Sequence, residues 1–216
     1  MDWSAVVSGL WVSCCVVCAA EEVHGVCEAC AEHWQLVPIP KPLAGVQHAV
    51  ALTPYDSATG DRLRRAKYGA DRAAIVGLAR AFSAHVGPWL RGAVDAVVPV
   101  PSAWTRRARR GFATASVLAQ VLAKRLRVPL IHALHMRTGA PNASFDAMQR
   151  RANLRQRIRS IRPVVGRAVL VDDVLTTGAT AEACVRELLG ERTETVIVAV
   201  LCATERRDED AGCDRP

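Results

Sequence analysis

Two adjacent carboxylates, Asp172 and Asp173, close the apolar run Val169-Leu170-Val171, and Val174-Leu175 then leads into five small residues, Thr176, Thr177, Gly178, Ala179 and Thr180. Neighbouring side chains on an ideal strand point to opposite faces, so the two acids address one ligand together only if the strand ends there and the chain turns. The small-residue run suits a turn, with a glycine free to adopt positive φ and three hydroxyls. A helical pattern, AEACVRELLGE, follows from about Thr180. Unpaired amides at a helix N-terminus, at the positive end of its dipole, favour a phosphate. Carboxylates beside that phosphate repel it unless they hold something else, such as vicinal hydroxyls, directly or around a divalent cation. The combination asks for a sugar phosphate. An ordinary strand–helix connection with an Asp-Asp turn and a Thr cap is the competing reading. A Walker loop is excluded, because no Gly-Lys-Ser/Thr follows.

A second constellation lies near the N-terminus. Cys15-x2-Cys18 and Cys27-x2-Cys30, with eight residues between the pairs, supply four thiolates suited to tetrahedral Zn²⁺ in a closed structural site. Cys14 confuses the register, since Cys14-x3-Cys18 is also a ligand spacing. His24 and His33 are conceivable substitutes, and a redox CxxC pair is the rival chemistry. Four thiolates leave no open position for catalysis, so such a metal is architectural or a platform for partners.

The elements that must position these groups read as strands alternating with helices. HAVALTPY (48–55), DAVVPVP (95–101), VPLIHAL (128–134), GRAVLVDD and TVIVAVLCAT (195–204) are strand-like, and helical patterns lie between them. DSATGDRLRRAKYG leads into the helix AAIVGLARAFSAHV. GFATASVLAQVLAKRL carries an apolar stripe that belongs to the core. This βαβ series predicts a mainly parallel, helix-flanked sheet, with ligands beyond the carboxyl ends of the strands. The expected division is an N-terminal cysteine module (1–34), a Pro-rich linker (35–46), an α/β domain (47–204) and a charged, loose tail (205–216).

With 216 residues, half of them apolar, the chain can bury one substantial core. Few aromatics leave little material for base-stacking platforms. The net charge is +7, and between Trp104 and Pro163 fourteen Lys/Arg face a single acid, Asp146. That field attracts polyanions: pyrophosphate, nucleotides or nucleic acid. The apolar stretch from Ala5 to Ala20 lacks the basic n-region of a signal peptide and is short for a membrane span. The expectation is a cytoplasmic protein with no membrane span, compatible with a homo-oligomer.

The 169–180 stretch resembles the phosphoribosyl pyrophosphate (PRPP) signature of type I phosphoribosyltransferases. The paired cysteines, LRRAKYG (63–69), VVPVP (97–101), RRARRGF (106–112) and RRANLRQ (150–156) narrow the likeness to the ComF family of competence-associated, phosphoribosyltransferase-like proteins. The resemblance implies the type I phosphoribosyltransferase fold, with a hood over the ligand in the segment 136–159 and a zinc module in front. It implies that Asp172 and Asp173 hold the ribose hydroxyls of PRPP with Mg²⁺, and that 176–180 cradle its 5'-phosphate. Pyrophosphate then lies against Pro101 and Ser102, where a tight turn presents amides, and against Arg106 and Arg107, with Arg109, Arg110 and Lys67 as further candidates. Lys67 could equally meet the 5'-phosphate, or stand as a solvated helix-end lysine. The chain departs from the family pattern where Ala113-Thr114 stand in place of Asn-Gln after RGF, and Gln149 is at most a shifted counterpart of a hood glutamine.

Three functions follow from the likeness. One is a PRPP-dependent transferase with an unnamed acceptor. Another is a non-catalytic factor on the same scaffold that binds single-stranded DNA or DNA-processing proteins. The third is a nucleobase salvage or regulatory phosphoribosyltransferase.

Overall fold

The computed structural model describes residues 14–21, 26–32, 34–39, 45–46, 48–55, 57–102, 108, 111–137, 156–190 and 192–204. Arg106, Arg107, Arg109, Arg110, His24, His33, Gln149, most of the expected hood and the expected tail lie outside these residues. The elements run α1 (Glu28–Ala31), β1 (Val37–Pro38), β2 (His48–Pro54), α2 (Ala58–Tyr68), α3 (Arg72–Leu90), β3 (Ala96–Pro99), α4 (Thr114–Leu126), β4 (Leu134–Met136), β5 (Ile158–Ser160), β6 (Gly166–Leu175), α5 (Ala179–Leu188) and β7 (Thr193–Ala203). Five strands make one sheet in the order β1-β2-β7-β6-β3, parallel except for β1. The α/β reading therefore holds: a mainly parallel sheet flanked by helices.

The central strands β6 and β7 are apolar on both faces, as a doubly covered parallel sheet requires. Val169 and Val171 enter one core with Leu63, Ile75, Leu78, Phe82, Leu118 and Leu122, that is, with α2, α3 and α4. Ala168 and Leu170 enter the other with Cys184, Val185 and Leu188 of α5 and with Met136 and Ile158 of the β4–β5 ribbon. Leu118, Leu122 and Leu170 are fully buried, and truncating any of them to Ala is worth about 2–5 kcal/mol.

Three expectations change. The basic segment before α3 is a helix of its own, α2. Ser57 caps it by accepting from the Gly60 amide at 3.3 Å, and it stops at Gly69, before Ala70 takes a φ of +53°. Residues 128–134 do not form the expected strand. Pro129 has no N–H to give to a ladder, so among the described residues contact with β3 reduces to one bridge, Val97 with Leu130, and the next strand, β4, pairs only with β5. The stretch 35–46 is also more than a linker: Val37–Pro38 pairs with Val50 and Ala51 of β2, and Trp34 just before it is buried.

Candidate functional site

The carboxyl ends of β2, β7, β6 and β3 come together at one edge. Val100 donates to the Val171 carbonyl at 2.9 Å, so Pro101 and Ser102 emerge beside Asp172; both are half-buried. On the other flank Thr204 donates to the Leu175 carbonyl at 2.9 Å, and Tyr55 to that of Ala203 at 2.8 Å. Both phosphate-loop candidates and the acidic pair thus share this edge.

The strand does not end at the acids. The ladder with β7 continues through Asp172–Val200 and Val174–Cys202 to Leu175–Ala203. Alternation along β6 sends Asp173 towards the α2–α4 face, where Lys67 donates to it at 2.7 Å. Both side chains of this pair are about five-sixths buried, at 16 % and 17 % exposure. Asp172 takes the opposite parity, and its Oδ1 accepts from the Asp173 amide at 2.8 Å. The regular alternation then slips, because Val174 packs with the same core as Val169 and Val171. The two acids reach this edge without the turn expected at the pair itself.

The turn comes three residues later. Thr176 and Thr177 are exposed, and Gly178 is buried at the N-cap of α5 with φ +78° and ψ −9°, a left-handed conformation open to glycine. Gly178 itself offers α5 no side-chain cap. Ala179 and Thr180 form its first turn, with Thr177 Oγ1 accepting from the Ala179 amide at 3.5 Å. A helix N-terminus entered through glycine, beside two exposed threonines, is chemically suited to an anion.

Two cysteines that the sequence leaves scattered pack under the acids. Burial, and after it the Asp172 charge, pushes the Cys184 thiol well up; burial and then Asp173 push that of Cys202 up to about 12. Both stay neutral. Nothing in their spacing announces this position.

The N-terminal cysteines converge as their spacing predicts. The Sγ atoms of Cys15, Cys18, Cys27 and Cys30 all lie within 4.8 Å of one another, Cys18 and Cys27 at 3.6 Å. Four thiolates around one Zn²⁺ at about 2.3 Å put their sulfurs about 3.8 Å apart, so this donor set fits the ion. Amides of Val17 and Cys27 reach Cys15 Sγ at 3.4 and 3.3 Å. Burial pushes the Cys15 thiol up, but amide donation from Cys18, Cys27 and Val17 outweighs it and holds the thiol down at about 6. Burial and the three neighbouring thiols push Cys30 up. Thiols this close ionise together only with a cation among them. Cys14 stands outside the cluster, exposed, in a bridge with Glu21.

No helix among the described residues is long and apolar enough to cross a membrane. Over 113 residues the chain is 37 % identical to the DNA utilization protein YhgH of Escherichia coli O157:H7, covering 51 % of this chain and 50 % of that one. The namesake from Salmonella typhi is 38 % identical over 114 residues, with the same coverage. The chain spans about half the length of these curated relatives. The crystal structure of orotate phosphoribosyltransferase from Aeropyrum pernix matches at 24 % identity over 58 % of this chain and 57 % of that one, with a TM-score of 0.35, too low to argue from. The phosphoribosyl transferase domain model matches residues 107–214, half of the chain and inclusive of β6, the acids and the small-residue loop. Together with the YhgH relatives, that match makes this chain a ComF-like member of the phosphoribosyl transferase domain family.

Proposed function

We propose that the sheet edge binds PRPP. The observation that carries this reading is the juxtaposition of a partly buried acidic pair with a left-handed-glycine entry into α5, both inside the family match. Asp172 and Asp173 take the two ribose hydroxyls, residues 176–180 the 5'-phosphate, and Pro101, Ser102 and Lys67 the pyrophosphate, with Arg106, Arg107 and Arg110 following in sequence. Two carboxylates at one edge are a hard-oxygen donor set that fits Mg²⁺, which when bound neutralises charge on the pyrophosphate.

In the transfer reaction a nitrogen nucleophile forms a bond to C1' while the C1'–O bond to pyrophosphate breaks and the leaving group takes the electron pair. Positive charge grows on the sugar and negative charge on the pyrophosphate. The chain's own contribution is to position the ligand and stabilise that charge with carboxylates on one side and basic groups on the other. The four-cysteine cluster holds Zn²⁺ as a structural ion. It forms the core of an N-terminal module over residues 1–34, ahead of the Pro-rich stretch that carries β1 (35–46), the transferase-like domain (47–204) and the tail (205–216). A cytoplasmic setting suits its free thiols.

Calorimetric titration with Mg·PRPP tests the site. Wild type is expected to bind and the Asp172→Asn/Asp173→Asn double variant to lose most of the affinity. Equal binding by the two, or binding by neither, overturns the assignment.

A second reading rests on the charge field: half of all basic residues lie between Trp104 and Pro163, and the relatives carry a DNA-utilisation name. On this reading the chain works in DNA uptake or processing, and the basic residues attract single-stranded DNA or a DNA-processing protein. Steep salt dependence of DNA binding, with no PRPP affinity, favours it.

A further inference from the structure

We infer that the cysteine cluster governs the acidic site through α2, with Arg62 as the positioning residue between them. This rests on the PRPP reading above and concerns the regulation of that same site.

The N-terminal segment grips α2 at its first half. Trp34 Nε1 donates to Thr59 Oγ1 at 2.8 Å in a buried contact, and the Trp34 ring stands edge-on to His85 of α3 at 5.2 Å. Arg62 Nε donates to the Val16 carbonyl at 2.9 Å. The Val16 side chain closes on Gly77 of α3 so tightly that a Cβ there would meet Val16 Cγ2 at 2.7 Å. The other arm of Arg62 pairs at 3.0 Å with Asp71, whose carboxylate also accepts from the Ala74 amide at 2.9 Å and caps α3. One guanidinium thus joins the cysteine knuckle, α2 and the start of α3. Lys67, five residues further along α2, carries the contact to Asp173. A helix transmits displacement over that distance, about 7.5 Å, as a rigid element.

Val16 lies between Cys15 and Cys18. Whatever holds those two sulfurs fixes the turn that presents the Val16 carbonyl, and so fixes the acceptor of Arg62. Metal in the cluster therefore anchors the first half of α2 and delivers Lys67, in register, to the acidic edge. Removing the metal loosens the knuckle, frees Arg62 from its carbonyl and lets the Lys67 end of α2 wander. Coupling of this kind is reciprocal: if metal tightens Mg·PRPP binding, Mg·PRPP tightens metal binding by the same factor.

The experiment compares the full chain as zinc-loaded and chelator-stripped protein, in wild-type and Arg62→Gln forms, each checked by circular dichroism. Two quantities are read: Mg·PRPP affinity by calorimetry, and amide hydrogen exchange along α2. Stripped wild type is expected to bind at least about fivefold more weakly than loaded wild type, within the usual range of coupling between sites. In Arg62→Gln the loaded and stripped affinities should converge, an outcome that a purely structural role for Arg62 does not give. A wild-type ratio of 1 with the fold intact, or an unchanged ratio in Arg62→Gln, overturns the proposal. If stripping unfolds the protein, loaded Arg62→Gln decides alone: the amides of Ala66, Lys67 and Tyr68 should exchange faster than in loaded wild type, and equal protection overturns the coupling. If no form binds PRPP, the PRPP reading fails on its own. The coupling is then judged by exchange, where unchanged protection of these amides on metal removal refutes it.

Discussion

Lys67, in the last turn of α2, holds Asp173 of β6 at 2.7 Å, and the pair is about five-sixths buried. Removing one member of such a pair leaves the other charge buried and uncompensated. Lys67→Met should lower stability at pH 7 by about 1–3 kcal/mol, read as a shift in urea midpoint. In a double-mutant cycle, Asp173→Asn should add much less in the Lys67→Met background than alone. Additive losses show that the ion pair contributes nothing.

A different pair, Asp95 with Arg167, sits at the opposite edge of the sheet, where β3 and β6 begin. Arg167 donates to Asp95 at 2.9 and 3.0 Å through its guanidinium and at 2.8 Å through its amide. These bonds hold the Asp95 carboxyl down at about 2. A carboxyl whose folded value lies below its unfolded one stabilises the fold above the unfolded pKa of about 3.9 and loses that contribution as pH falls through the folded value. The stability gap between wild type and Asp95→Asn should be full above about pH 4 and vanish towards pH 2. Denaturation midpoints at several acid pH values measure it, and a gap independent of pH in that window refutes the argument.

Gly60 offers a steric test of α2. A Cβ at this position would meet the Tyr55 carbonyl oxygen at 1.9 Å, a backbone atom that cannot swing aside. Gly60→Ala should therefore cost about 3 kcal/mol, at the upper end for overpacking, and should weaken ligand binding at Asp173 by displacing Lys67. Gly92→Ala, where nothing stands within 4 Å but φ is +74°, should cost only the backbone strain of a left-handed alanine, about 1–2 kcal/mol.

The parallel sheet, the acidic pair, the loop and the four cysteines are legible in sequence because each rests on local spacing. The contacts that join them are not. Trp34 reads as linker flank yet is buried against Thr59, and Lys67 reads as a solvated helix-end lysine yet pairs with Asp173. Such pairings join residues far apart in the chain and have no period to betray them. Pro129 is a signal against the strand at 128–134: a proline without an N–H argues against a central strand, and that stretch is not one. The continuation of β6 past the acids was hidden for another reason. Carboxylates are poor strand formers, and it is the β7 ladder, ending at Leu175–Ala203, that holds them extended.

The last test concerns which cysteines bind metal. Spacing alone leaves Cys14 and Cys15 as rivals, but Cys15 is buried, accepts two amides and belongs to the cluster, whereas Cys14 is exposed and outside it. Cys14→Ser should retain one zinc per chain and the wild-type melting temperature. Cys15→Ser should lose the metal, and with it the packing of Val16 and Val17 on α2 and α3. Because the ligands must shed their protons to bind, acid should release zinc and a chelator should act faster as pH falls. Metal content and free thiols on the same samples measure both. Zinc lost from Cys14→Ser and kept in Cys15→Ser reverses the assignment, and it also removes Val16 from the metal's reach, since the knuckle would then close through a different turn.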